Sequence, residues 1–136
     1  MDDADRLELT RLFVAAITAE LKAFSEESVP MSGSAFAAAV SRLRDNPLAS
    51  RFSVLTTVAG PMCPDFQEGM AIAQSAGLIS RLNPSFQRFT VNLSGRQVRG
   101  LASDPQFAAA RYLAKEYLAL TLGSPDAGAR DDHTMA

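Results

Sequence analysis

The stretch AIAQSAGLISRLNPSFQRFTVNLSGRQVRG, residues 71–100, limits the possible folds more than any other part of this chain. It opens with helical character and reaches Gly77, a residue type suited to the left-handed conformation that ends a helix. Two segments with strand character follow, LISRL and FQRFTVNL, and Asn83-Pro84-Ser85 joins them as a turn. The sequence therefore predicts a helix that passes directly into a two-stranded hairpin.

The second predicted strand alternates between apolar and polar residues. Phe89, Val91 and Leu93 lie two residues apart, a spacing that puts them on one face of a strand. We expect that face to meet the core, because its members are large and apolar. Arg88 and the other polar residues of the strand then face outwards.

Apolar residues recur with helical spacing along much of the remaining chain. Pro64 suits the first turn of one predicted helix, and Ser103 is placed to cap the last one. The segment LSGRQVRGL, between the hairpin and the last helix, is expected to be irregular or a single turn. The predicted helices cover residues 5–26, 34–44, 47–58, 64–76 and 104–122.

The helix predicted over 47–58 has a competing interpretation. Leu48, Phe52, Leu55 and Ala59 are spaced as one helical face, and we take the helix as the prediction. The β-branched residues of the same segment favour a strand instead. They are Val54, Thr56, Thr57 and Val58.

Length and composition predict one domain. The 136 residues, 47% of them apolar, suffice for a core that needs neither disulfide nor metal. We expect the domain to span residues 1–122 and residues 123–136 to form a flexible tail without apolar anchors. The sequence has no apolar run of transmembrane length and no secretory-signal pattern. With Cys63 as the only cysteine, we expect a cytoplasmic protein that does not contact membranes.

Catalysis is the class of function that the sequence disfavours most. His133, the only histidine, falls in the expected tail, where nothing would orient it as a base. Cys63 lies at a predicted helix start without a nearby cation, a setting in which a thiol is usually inert. Asp131 and Asp132 beside the histidine form only a weak metal pattern. We therefore expect neither an enzyme nor a cofactor nor a bound metal.

The charges of the chain are unevenly distributed. Residues 1–77 contain six Lys and Arg against ten Asp and Glu, a net charge of −4. Residues 78–103 contain four arginines and no carboxylate, a net charge of +4. Positive charge is therefore concentrated on the predicted hairpin and the segment after it. The arginines are Arg81, Arg88, Arg96 and Arg99.

Residues 34–93 resemble a winged helix-turn-helix domain. RFSVLTTVAGPMCPDFQEGMAIAQSAGLI stands in the place of the two crossing helices of that domain, and SRLNPSFQRFTVNL in the place of its wing. The resemblance covers somewhat less than half of the chain and rests on pattern, not on a fixed motif. It implies a mainly α fold, with a winged-helix-like core of three short helices and a two-stranded hairpin. Long N- and C-terminal helices would flank that core.

The first function that the resemblance implies is that of a DNA-binding transcriptional regulator. Such a protein inserts its recognition helix, here residues 64–76, into the major groove. Its wing would follow the phosphate backbone. The residues expected to contact phosphates are Arg81, Arg88 and Arg96, and those expected to read base edges are Gln67, Gln74 and Ser75.

The second function is that of a non-enzymatic assembly subunit, which uses the same scaffold to bind a partner protein. Asp65 and Glu68 favour it, since the helix at 64–76 carries no Lys or Arg. The arginines of residues 78–103 favour DNA, although ordinary solvated arginines would explain them equally well. We take DNA binding as the leading hypothesis. The long apolar faces of the first and last helices further predict a homodimer.

Overall fold

A computed structural model describes residues 1–82, 85 and 87–123. The structure is mixed helix and sheet, with five helices and small antiparallel sheets in the described residues, and its mainly helical content agrees with the prediction. The helices are α1 (Asp3–Leu21), α2 (Gly33–Arg42), α3 (Pro64–Ser75), α4 (Gly95–Leu101) and α5 (Phe107–Leu122). The strands are β1 (Val29–Pro30), β2 (Leu55–Thr57), β3 (Gly60–Met62), β4 (Ile79–Arg81) and β5 (Arg88–Val91).

Helix α1 is the centre of the fold and packs against α3, α4 and α5. Asp2 caps the start of this helix, and its carboxylate accepts a hydrogen bond from the Asp5 N–H at 2.9 Å. Phe13 of α1 meets Phe36 of α2 edge to face, with ring centroids 5.0 Å apart, and Tyr117 of α5 at 5.4 Å. Such aromatic pairs stabilise a core beyond the area that they bury.

The apolar faces that predicted a homodimer are covered within one chain. Leu9, Phe13 and Ile17 of α1 are buried, and so are Leu113 and Tyr117 of α5. The two terminal helices pack against each other within the chain. The homodimer therefore stays a prediction, but these apolar faces of α1 and α5 no longer support it.

Strands β1, β5 and β4 form an antiparallel sheet in that order, so that the first strand lies beside the last. Ile79 pairs with Val91, and Phe89 lies between Arg81 and Val29. The hairpin predicted around β4 and β5 is thus present, and the buried Phe89 faces the core as expected. Of the predicted turn, Asn83 and Pro84 lie outside the described residues.

The helix predicted over 47–58 is wrong. Ala49–Arg51 makes one short 3-10 turn, in which the Asn46 side chain accepts hydrogen bonds from the Leu48 and Ala49 N–H groups. The chain then enters β2 and β3, which pair as a two-stranded hairpin. The β-branched Thr56 and Thr57 lie in β2, and Gly60 supplies a φ of 113° at the end of the turn.

Helix α3 agrees with the predicted range 64–76, and α2 with 34–44, to within two residues at each end. Gly77 ends α3 with a φ of 79°, as predicted. The Gly77 N–H donates to the Gln74 carbonyl and the Leu78 N–H to the Ala73 carbonyl, at 3.1 and 2.9 Å. This pair of bonds satisfies carbonyls that the end of the helix leaves open.

Three other boundaries differ from the predictions. Helix α1 ends at Leu21, five residues earlier than predicted. The segment after the hairpin is a helix, α4, in which Ser94 and Gln97 cap each other's backbone N–H groups. Ser103 does not cap the last helix, because the Ser103 hydroxyl donates to the Gly100 carbonyl and α5 starts only at Phe107.

No helix in the described part of the chain is both long and apolar enough to cross a membrane. The predicted tail begins at Gly123, and the rest of it, residues 124–136, lies outside the described range.

Candidate functional site

A shallow groove of about 370 Å³ runs along the outer side of α3. Three of the six predicted contact residues line it: Gln67 and Gln74 from α3, and Arg81 from the end of β4. The corner between β1 and α2 closes the other side with Met31 and Gly33. The groove therefore combines two amides and one guanidinium at a surface that is open to solvent.

Helix α3 reaches this position by lying unusually close to α1. Gly69 faces Thr10 at the crossing, and a Cβ atom at position 69 would lie only 2.2 Å from the Thr10 hydroxyl oxygen. Thr10 is buried, so it has little space to move away. A glycine is therefore required where the two helices cross.

Arg6 of α1 binds the acidic start of α3. Its Nε atom lies 3.0 Å from a carboxylate oxygen of Asp65 and 3.0 Å from one of Glu68, while Nη1 bonds Asp3 at 2.9 Å. The hydrogen bond to Asp65 is the main cause that raises the pKa of Arg6. The only two acidic residues of α3 are thus paired on the side facing α1. This contact was missed because Arg6 lies 59 residues before Asp65.

The register of the sheet sends two of the predicted wing arginines to opposite faces. Arg81 lies opposite Phe89 and therefore shares the face that the buried Ile79 and Phe89 turn towards the core. Its position at the end of β4 brings it beside α3 and into the groove. Arg88 is one residue away from Phe89 and lies on the other face.

Arg88 is held by the segment before β1. Its Nε donates to the Ser28 hydroxyl at 2.7 Å, and Nη2 donates to the Ser28 carbonyl at 2.8 Å. A weaker pair with Glu26 at 3.4 Å completes the contact. The side chain is still 38% exposed, so a phosphate contact by Arg88 stays a prediction. Arg88 thus links β5 to the end of the loop between α1 and β1.

The remaining two predicted residues lie away from the groove lining. Ser75 is exposed on the last turn of α3, one residue after Gln74. Arg96 is exposed on α4, which packs against α1. The structure thus brings Gln67, Gln74 and Arg81 together, and leaves Arg88 and Arg96 elsewhere.

Tyr117 positions the corner that forms the far side of the groove. Its hydroxyl donates to the Pro30 carbonyl and accepts from the Ser32 N–H at 3.0 Å. Burial raises the pKa of Tyr117 to about 12, because the ionised form would lose its hydration. Ser32 in turn caps α2 by accepting from the Ala35 N–H at 3.1 Å, so α5 holds the α2 N-terminus beside Gln67. The sequence contains no signal for this long-range contact.

Cys63 is buried at the start of α3, and burial raises the pKa of its thiol. A thiol with a raised pKa is a poor nucleophile. No group of three or more metal-ligating side chains occurs within the ranges that the structure describes. The predicted weak metal pattern at Asp131, Asp132 and His133 lies outside those ranges.

The chain matches no protein-family model, no curated protein and no solved structure.

Proposed function

We propose that this protein is a DNA-binding regulator with a winged-helix core, in which α3 enters the major groove of duplex DNA. The observation that carries the proposal is the groove, where Gln67, Gln74 and Arg81 converge at the exposed side of α3. Amide side chains pair with the edge of adenine, and a guanidinium pairs with phosphate or with guanine.

The order of elements supports the winged-helix core. Helix α1, strand β1, helices α2 and α3 and strands β4 and β5 follow one another, and β1 pairs beside β5. In this arrangement α3 immediately precedes the two-stranded wing, whereas the described residues 47–58 do not form the other crossing helix that was predicted. The hairpin of β2 and β3 is an insertion between α2 and α3.

The charges around α3 are also compatible with DNA. Asp65 and Glu68 would repel phosphate, but both pair with Arg6 on the side that faces α1. Gln67 and Gln74 are exposed and uncharged, and Ser75 adds a hydroxyl next to them. Recognition would then depend on hydrogen bonds to bases more than on a large positive field, so affinity should be modest and moderately salt-dependent.

The test is a titration of random-sequence duplex DNA at about 50 mM salt, where phosphate contacts are strongest. Gln74→Glu places a negative charge in the groove, and we expect it to weaken binding at least tenfold. Ala108→Glu adds the same charge at an exposed position of α5, away from the groove lining, and serves as the matched control. Absence of binding by the parent protein at this salt concentration would rule out the proposal.

A non-catalytic assembly subunit is the second candidate function. It is favoured by the exposed apolar side chains of the inserted hairpin, Leu55, Val58 and Met62. In that case a partner protein contacts the β2–β3 hairpin, and the parent protein should not bind duplex DNA. For either function we propose the cytoplasm as the location, because a single buried thiol suits a reducing compartment.

A further inference from the structure

We infer that two copies of this chain associate through the outer edge of β2, forming a four-stranded antiparallel sheet across a two-fold axis. The occupant of this edge is a second copy of the same strand, with Thr56 of one copy opposite Thr56 of the other. The inference uses residues that are separate from the α3 groove, so it stands or fails independently of DNA binding.

The hairpin exposes apolar side chains on its outer face. Leu55 and Met62 are cross-strand partners and therefore lie on the same face, where they are 54% and 39% exposed. Val58, in the turn between the strands, is fully exposed. Exposed apolar groups of this size, clustered on one small element, are typical of an interaction surface.

Only one edge of this hairpin is open for pairing. Strand β3 packs against α2, and Pro61 in β3 has no N–H to donate to a further strand. In the described part of the chain, no third strand lies beside β2. An unpaired strand edge is a ready template for another strand, and here each chain offers one.

The hydrogen-bonding groups of Thr56 point towards the open edge. Thr57 and Gly60 flank the two-residue turn, and pairs along an antiparallel ladder alternate between bonded and non-bonded. Thr56 lies opposite Pro61, which cannot donate, so this pair is the non-bonded one. The N–H and C=O of Thr56 are therefore directed away from β3.

A second copy fits this edge better than an unrelated strand, for two reasons. A two-fold axis places each residue of β2 near its own copy, so any charge there would meet a like charge. Residues 52–64 contain no Asp, Glu, Lys or Arg, which is compatible with such self-pairing. In addition, Pro61 blocks the other edge, so pairing ends at two chains and does not continue into a fibre.

The paired arrangement also brings the Leu55 side chains of the two copies close together. With Thr56 opposite its copy, Leu55 lies opposite Thr57 of the second chain and diagonal to the second Leu55. The exposed side chain of Leu55 thus gains the second Leu55 as an apolar neighbour. Because each strand is only three residues long, we expect association to depend on protein concentration.

The experiment measures molecular mass by sedimentation across the micromolar range, without DNA. The parent should change from monomer to dimer as its concentration rises. Thr56→Lys and Thr56→Glu should each remain monomeric, because each places two like charges together at the axis. An equimolar mixture of the two variants should dimerise again, since opposite charges then face each other.

Met62→Lys is the matched control, because it adds a charge to the exposed face and leaves the β2 edge open. It should dimerise like the parent. Three results would each overturn the inference. One is a parent that stays monomeric at every concentration, another is a Lys and Glu mixture that fails to associate, and the third is loss of dimer in Met62→Lys with retention in Thr56→Lys.

Discussion

The two antiparallel hairpins of this protein, β2–β3 and β4–β5, have strands of similar length and very different surroundings. In β4–β5 the side chains of Ile79 and Phe89 are buried, and a third strand pairs with β5. In β2–β3 the side chains of Leu55 and Met62 are exposed, and only β3 packs against a helix. Both segments contain strand-favouring residues and both are extended, and packing decided which one belongs to the core.

The difference extends to how each hairpin is attached to the fold. The β4–β5 hairpin follows directly from α3, whose crossing with α1 requires Gly69, and β1 beside it is held by Tyr117. The β2–β3 hairpin is reached through the 3-10 turn that Asn46 caps. Substitutions should thus lower the stability of the protein strongly around the β4–β5 hairpin and hardly at all around the β2–β3 hairpin.

The largest expected effect is at Phe89, the buried centre of the three-stranded sheet. Phe89→Ala should reduce the free energy of unfolding by about 3–5 kcal/mol, because a large side chain is removed from a packed core. Val58→Ala at the tip of the other hairpin should change it by less than about 0.5 kcal/mol. Chemical denaturation measures the free energy of unfolding of both variants. Similar losses of stability in the two would contradict the contrast between the hairpins.

A smaller loss is expected at the α1–α3 crossing that places α3 and the hairpin after it. Gly69→Ala puts a methyl group against the Thr10 hydroxyl and should cost about 1–3 kcal/mol through overpacking. Alanine is the better helix former, so the substitution would stabilise the protein if the methyl group met no obstacle. A loss of stability would therefore indicate the clash with Thr10. Adding Thr10→Ala should restore most of the loss, and failure of this rescue would show that the clash is not the cause.

The contact of Tyr117 with β1 predicts a loss of stability at alkaline pH. The folded-state pKa of about 12 lies above the unfolded value of about 10, so the folded state holds this proton more tightly. The contribution is complete below pH 10 and is lost as the pH rises towards 12. At pH 11 the loss should be about 1.4 kcal/mol.

Tyr117→Phe should remove this part of the pH dependence. It should also cost about 1–2 kcal/mol at neutral pH, because the Ser32 N–H and the Pro30 carbonyl lose their partner. Urea unfolding of the parent and the variant at neutral pH and between pH 9 and 11 measures the loss of stability and its pH dependence. Parallel stability curves over this range would contradict the assignment.

The smallest expected effect distinguishes two arginines that look alike in the sequence. Arg88→Ala should lower stability by about 1 kcal/mol, because it removes two short hydrogen bonds to Ser28. Arg96→Ala, on the exposed side of α4, should change stability by less than about 0.5 kcal/mol. Thermal unfolding compares them directly, and equal stabilities would mean that the Ser28 contact contributes nothing.

The candidate groove could be anticipated only in part. Gln67 and Gln74 lie on the polar side of a helix whose start at Pro64 and end at Gly77 are marked by local signals. Arg81 was found because it belongs to a run of arginines without carboxylates. The same reasoning selected Arg88 and Arg96 as well, since charge in the sequence does not indicate which surface of the fold a side chain occupies.

What the sequence by itself determined is local: the apolar period of α1, α2, α3 and α5, the glycine that ends α3, and the alternation that turns Phe89 inwards. These features follow from backbone conformations that involve a few neighbouring residues. Tertiary structure alone decided the pairing of β1 with β5, the contact of Arg6 with Asp65, and the burial of both terminal helices against each other. It also decided between helix and strand at residues 47–58, where spacing and propensity disagreed. The physical reason is that such choices depend on the free energy of burying surfaces that are distant in the chain, and local periodicity does not specify which surfaces meet.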